Sequence, residues 1–308
     1  MFRSFQSGFI LGLFVLLSCQ LYAQNGARLS FERYESIKEE VLLVALYEED
    51  SLYNDIIRTN IEKYWKITPF KFVPEQDLIK LATEDEYAML VRDDSEKIRG
   101  RGRLIQRNHL SIFPSGRGGD WANYGGHFAI SQFHLSKVEQ TQDIAYKLPG
   151  LLQVMHHYMS FLDTVKFIDE DYFPPLLDQW QNQYNQDLSK KTLYLTKEDL
   201  GKDLSIEKVR KAYPYPVELV STDSIGKMID QQQTGTAWFH IDPRKKELWA
   251  IDSESGHILY HAKTDDYGSL TIKDWKAMSK AVEAQNEEDT KPIDDAILRV
   301  NKLFGKLR

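Results

Sequence analysis

One six-residue run, Val41-Leu42-Leu43-Val44-Ala45-Leu46, constrains the fold more than any other stretch of this sequence. It has no polar residue to place on a wet face and is rich in β-branched side chains. A strand of that kind is covered on both sides, and sheets covered on both sides are predominantly parallel and flanked by helices. The following segment, Asp50 to Trp65, sets Leu52, Ile56, Ile57, Ile61 and Trp65 at helical spacing behind an Asp/Ser cap. Pro69-Phe70-Lys71-Phe72-Val73 then reads as a short strand. Pro74 opens a second helix at its favoured first position, with Leu78, Leu81 and Ala82 on one face. Strands are predicted over Tyr87–Val91, Leu110–Phe113 and Phe128–Phe133, and a long helix over about 140–165, bent at Pro149.

The second half runs through a similar order. Thr192–Leu195 is a strand, Ser205–Ala212 a helix, Pro216–Val220 a strand, Ser221–Ile229 a helix and Ala237–Ile241 a strand. Lys246–Asp252 and His257–Ala262 form a hairpin around Asp252-Ser253-Glu254-Ser255-Gly256, where Gly256 suits a positive φ. Pro69 and Pro216 lie 147 positions apart and Ala88 and Ala237 lie 149 apart, which reads as an internal duplication of a strand–helix–strand–helix–strand–strand–helix unit. The expected fold class is α/β, with α+β the alternative, built as two similar mixed-sheet modules with flanking helices. The expected divisions are a signal peptide (1–23), a first module (36–166), a connecting helix (167–190), a second module (191–285) and a C-terminal amphipathic helix (286–308) carrying Ile293, Ala296, Ile297, Val300, Leu303, Phe304 and Leu307 on one side.

The order of the first unit, ending in Phe70-Lys71-Phe72-Val73, a helix and Ala88-Met89-Leu90-Val91, resembles the α/β amino-terminal domain of TolB and related bacterial envelope lipoproteins. The resemblance covers about residues 40–92, and again about 192–241. It carries no signature residue, and TolB's β-propeller has no counterpart here. What it implies is an envelope adaptor.

The first 24 residues hold Arg3, an apolar run from Phe9 to Leu17 and the small Ala23, the layout of a secretory signal. Cleavage after Ala23 leaves Gln24 first and removes only Arg3 among the charges, so 38 Lys and Arg face 46 Asp and Glu, a net −8. The lone cysteine, Cys19, lies inside that segment. A secreted chain cut there has no thiol nucleophile, disulfide or Cys-bound zinc. Alternatively, Leu16-Leu17-Ser18-Cys19 resembles a lipoprotein processing box, with Cys19 acylated and the fold tethered to the outer membrane. Otherwise the chain is expected to be periplasmic or secreted.

The eight histidines do not converge by spacing. His127 and His134 fall on opposite sides of one strand. His156 and His157 diverge by about 100° on a helix, and His257 and His261 stand roughly 13 Å apart along a strand. No metal site and no cofactor is expected, and the nucleophile-elbow, phosphate-loop and zinc-helix motifs do not occur. One segment departs from the acidic background. Lys97, Arg99, Arg101, Arg103, Arg107 and Arg117 occur with no acid between them, followed by Gly-Arg-Gly-Gly-Asp-Trp-Ala-Asn-Tyr-Gly-Gly over 116–126. Glycines permit close backbone approach, arginines offer forked donors to anions, and Trp121 and Tyr124 can stack on a sugar. Arg99, Arg101, Arg103, Arg117, Trp121, Tyr124 and His127 are therefore the ligand-binding candidates. Net negative charge and export argue against nucleic acid. The expected function is non-catalytic binding, as an envelope adaptor or a receptor for a glycan or anionic small ligand. The alternatives are a secreted hydrolase using a carboxylate pair and an envelope component that self-associates through its terminal helix.

Overall fold

The computed structural model describes residues 37–285, apart from 82–83, 85, 94–95, 100–102, 107–108, 115–130, 136–140, 142–143, 165–172, 202–203, 243–245 and 265–268. Cys19 and the terminal helix expected after residue 285 lie outside the described residues, as do Arg101, Arg117, Trp121, Tyr124 and His127. The fold is α/β, with two mixed five-stranded sheets and flanking helices.

In the first sheet the apolar run is strand β1 (Val41–Leu46), the centre of a parallel trio with β2 (Phe70–Pro74) and β3 (Tyr87–Asp93). Leu42, Leu43, Val44 and Ala45 are all buried, as a strand covered on both faces requires. The hairpin β4 (Glu96–Arg99) and β5 (Arg103–Gln106) follows, then β6 (His109–Phe113) antiparallel on β3 and β7 (Ser131–His134) antiparallel on β6. Helix α1 (Ser51–Tyr64) joins β1 to β2. It is capped by Asp50, whose carboxylate accepts from the Tyr53 amide at 3.0 Å, and it buries Tyr53, Ile57 and Ile61 on one stripe. Helix α2 (Glu75–Leu81) joins β2 to β3, with Pro74 closing the strand instead of opening the helix.

Helix α3 (Leu148–Thr164) follows the sheet. It does not run unbroken from residue 140 with a bend at Pro149, as expected from sequence. Turns occupy 144–147, and Pro149 sits in the first helical turn, where its missing N–H costs no bond. Helix α4 (Phe173–Asn182) and a 3₁₀ segment (Asn185–Lys190) lead to the second sheet.

That sheet has strands β8 (Thr192–Leu195), β9 (Val217–Leu219), β10 (Thr236–Asp242), β11 (Glu247–Asp252) and β12 (Ile258–Lys263). Helix α5 (Ile206–Ala212), capped by Ser205, joins β8 to β9, and α6 (Thr222–Asp230), capped by Ser221, joins β9 to β10. Helix α7 (Ile272–Gln285) closes the unit. Its Asp274 carboxylate accepts from the backbone N–H and hydroxyl of Thr271, both at 2.7 Å, holding the amino-terminal turn.

The two sheets share one plan. The strand orders β2-β1-β3-β6-β7 and β9-β8-β10-β11-β12 match position for position, with two parallel pairings and then two antiparallel ones in each. Leu42 pairs with both Phe70 and Ala88, as Leu193 pairs with both Val217 and Ala237.

Packing joins the units through α3. Strand β10 is buried along its whole length and sends alternate side chains into two cores. Ala237, Phe239 and Ile241 meet Tyr213, Trp275, Met278 and Val282 under α5 and α7. Trp238 instead belongs to a larger core that contains the first sheet, α1 and α3, and also takes in Ile225, Met228 and Ile229 from α6 and Trp249, Ile251 and Ile258 from the second sheet. Helix α3 is covered from both sides, which explains why Leu151, Leu152, Val154, Met155, Met159, Phe161 and Leu162 bury more than one stripe. Gly150 makes the approach possible, because a β-carbon there would meet the indole of Trp238. Lys147, just before α3, pairs with Asp199 of the second unit at 3.6 Å. Burial alone would lower its pKa; Asp199 and Tyr146 raise it above its ordinary value, so the ammonium stays charged. Among the described residues no helix is long and apolar enough to cross a membrane.

Candidate functional site

Two clefts of similar size open on the described surface. One, of about 330 Å³, lies at the carboxyl ends of β1 and β2 between Tyr47, Glu48, Asn54, Glu75 and Gln76. Two of its polar lining residues, Tyr47 and Asn54, are occupied in holding the chain. The Asn54 amide donates to the Tyr47 carbonyl at 2.8 Å, and its oxygen accepts from the Tyr47 N–H at 2.9 Å. The Tyr47 hydroxyl bridges the Arg92 backbone, and the Arg92 guanidinium lies 4.9 Å from the ring centres of Tyr47 and Tyr53 while donating to Asp50 at 2.6 Å. Thr141 also donates to Asp50. Burial pushes the Asp50 carboxyl up, but the bonds from Thr141, Arg92 and the Tyr53 amide outweigh it and hold the pKa below the usual carboxylate value. This network ties together the carboxyl ends of the adjacent strands β1 and β3.

The second cleft, of about 340 Å³, gathers side chains from separate parts of the chain: Tyr184, Asp187, Lys190 and Lys191 from the 3₁₀ segment and its flanks, and Asp252, Ser255, His257 and Leu259 from the β11–β12 hairpin. Gly235, just before β10, completes the lining, so the cleft lies at the amino ends of the parallel strands β8 and β10.

Its floor is built by the turn. Asp252 accepts at one carboxylate oxygen from the Ser255 backbone N–H and hydroxyl, at 3.3 and 2.6 Å, and at the other from the Lys191 ammonium at 2.7 Å. The turn closes with the Gly256 N–H donating to the Asp252 carbonyl at 2.9 Å, and Gly256 adopts φ +73°. A β-carbon on Gly256 would lie 2.5 Å from Gln153 Cβ, so glycine also lets the turn touch α3. One helical turn beyond Gln153 stands His157. Its ring stacks on His257 with centroids 4.2 Å apart and planes 28° apart, and Tyr184 flanks His257 at 4.8 Å. His157 Nε2 lies 2.7 Å from the Ser255 carbonyl oxygen. A carbonyl only accepts, so Nε2 carries the proton.

Burial, then the neighbouring His157 ring, push the His257 pKa down to about 4 against a smaller upward pull from Asp252. Burial lowers His157 as well, opposed by its bond to Ser255. Both rings are neutral at pH 7. The arrangement differs from a nucleophilic Ser–His pair, in which the imidazole accepts the hydroxyl proton. Here the hydroxyl of Ser255 is spent on Asp252, and His157 donates to the Ser255 carbonyl.

Of the sequence-derived candidates, two lie on described residues. Arg99 and Arg103 are directly paired across the β4–β5 hairpin. Arg101, Arg117, Trp121, Tyr124 and His127 lie outside the described residues. The 116–126 segment belongs to the connection from β6 to β7, the counterpart in chain order of the β11–β12 turn that floors the cleft. Neighbour spacing predicts that His156 and His157 diverge, and His156 does face Trp65 at 6.2 Å, yet the two histidine rings stay in edge contact at 5.8 Å. Such spacing has no access to the His157–His257 stack, whose members are 100 positions apart. The local hint is Gly256, a hairpin glycine beside a histidine, which marks a tight turn but not the helix the turn meets. Among the described residues no three of His, Cys, Asp and Glu assemble as a metal-binding set. No protein-family model, curated protein or solved structure matches the chain.

Proposed function

We propose that this chain is an exported envelope protein that works by binding, and that the cleft between residues 184–191 and 252–259 receives a small polar ligand. The observation that carries this reading is how the cleft's reactive groups are used. Ser255, Asp252 and His157 bond one another to build a wall, and His257, with a pKa of about 4, is a weak proton acceptor at neutral pH. A wall with fixed donors, fixed carboxylates and ring faces is suited to recognition. The volume is that of a small-molecule site, which favours a receptor over an adaptor that grips a protein surface. Export is supported by the layout of the first 24 residues, and duplication of one unit by the matching strand orders.

The test is a screen of a polar fragment library (sugars, amino acids, carboxylates) against the purified chain, read from the ¹H–¹³C signals of the histidine rings. His157 and His257 are expected to shift while His109 and His240 stay in place. A library that moves neither ring refutes the reading, as does catalytic turnover abolished by His257→Gln. Mass spectrometry of the native amino terminus tests export: Gln24 or an acylated Cys19 supports it, an intact Met1 refutes it.

A further inference from the structure

The charges in the cleft narrow the ligand's chemistry, an inference that rests on the binding reading above. The lining holds two cations and two anions, and each cation is closed on an anion. Lys190 meets Asp187 at 3.0 Å, and Lys191 meets Asp252 at 2.7 Å. The outer pair stands at the rim, with the Lys190 side chain 71% exposed. The inner pair is nearly dry, at 15% for Lys191 and 8% for Asp252. The fixed charge of the cleft therefore sums to zero, and its interior part is least tolerant of an added charge, because an unpaired charge in a desolvated site is costly.

An anionic ligand would have to take Lys191 from Asp252 and leave that carboxylate buried beside it. A cation meets the mirror-image problem at Lys191. A zwitterion would exchange one set of ion pairs for another. Hydroxyl groups face no such barrier. Each lysine ammonium has three donors, of which its ion pair uses one, and of the about four acceptor positions of a carboxylate Asp252 keeps about one beyond its bonds to Ser255 and Lys191. A hydroxyl can accept from the one and donate to the other while both pairs stay closed, and the charged partners make those bonds stronger than neutral ones. Beside these polar groups stand the rings of Tyr184 and His257 with the side chain of Leu259, an apolar wall of the kind that packs against the C–H face of a sugar ring.

We infer that the cleft takes a neutral, hydroxyl-rich ligand, a sugar unit or the end of an uncharged oligosaccharide, held by the Lys190–Asp187 and Lys191–Asp252 pairs and stacked against Tyr184 and His257. The purified full-length chain is passed over a glycan array carrying both neutral oligosaccharides and uronate- or sulfate-bearing ones. Neutral glycans are expected to be retained, with affinity changing less than two-fold between 50 and 500 mM NaCl. Tyr184→Leu is expected to weaken retention at least ten-fold. Should that variant misfold, the rim double variant Asp187→Ala with Lys190→Ala, whose side chains lie near the surface, is expected to weaken it two- to five-fold.

Retention of uronate or sulfated glycans, falling more than ten-fold with salt, overturns the neutral class and leaves the binding reading in place. Empty arrays together with fragment hits that shift His257 overturn the sugar class alone. Empty arrays with no fragment hits overturn both.

Discussion

Replacing Gly150 with alanine sets two physical effects against each other, and the structure decides the sign. In an open helix the change removes glycine's backbone entropy cost and stabilises by up to about 1 kcal/mol, less in a first turn. At this position the new β-carbon would lie inside 3.0 Å of Trp238 Cζ2, with Cε2 at 3.1 Å and Cη2 at 3.3 Å, whereas carbons rest at about 3.5–4.0 Å. Trp238 has no room to retreat. It is fully buried, and its strand is hydrogen-bonded to β8 on one side and β11 on the other. Overpacking of this kind costs about 1–3 kcal/mol, so the net expectation is a loss of about 2 kcal/mol, or ~4–8 °C in Tm. Urea unfolding of the four members of a Gly150→Ala and Trp238→Phe cycle measures it. Phenylalanine lacks the clashing carbons, so in that background Gly150→Ala should be neutral or mildly stabilising, and the coupling should be about 2 kcal/mol. A stabilising Gly150→Ala in the native background, or one with the same effect in both backgrounds, refutes the claim that α3 is seated on the second sheet through this contact.

Three further outcomes are expected. His257 bears a depressed pKa, so the unfolded chain takes up a proton near pH 6.5 that the folded chain resists until about pH 4. The stability this contributes is full above pH 6.5 and is lost as pH falls between those values. At 1.36 kcal/mol per pH unit the gap allows about 3 kcal/mol, and partial solvent access reduces it to about 2. Urea titrations at pH 7.5 and 4.5 should show His257→Gln losing about that much less than the native chain on acidification; parallel losses contradict the burial of this ring. Gly256→Ala combines a strained positive φ with the approach to Gln153, and should cost about 2–4 kcal/mol by thermal unfolding. Lys147→Met should cost about 3 kcal/mol, because it leaves Asp199 uncompensated in the packed junction, and adding Asp199→Asn should recover part of it; no recovery counts against the pair.

Much of the scaffold is legible in local pattern. The Val41–Leu46 run announces a strand covered on both sides, and Asp50, Ser205 and Ser221 announce helix starts that they do cap. Where the reading misses, the cause is tertiary. Apolar residues around α3 suggest one long helix, yet their number reflects cover from two sheets, and Pro149 marks a beginning instead of a bend. The cleft is harder still to read. Asp252-Ser253-Glu254-Ser255-Gly256 is ordinary turn chemistry, whereas the arginines and aromatics of 99–126 stand out in composition. What makes the turn special is that a glycine brings it against a helix a hundred positions upstream, and no local pattern encodes that meeting.

The helix that backs His257 with the His157 ring is also the beam under the first sheet. An occupant pressing on His257 bears through the stacked His157 ring on both halves of the molecule at once. Severing the chain between α3 and β8 would uncover Trp238 and Trp249 and leave His157 behind, so the second unit alone would lose the ring that backs the recess.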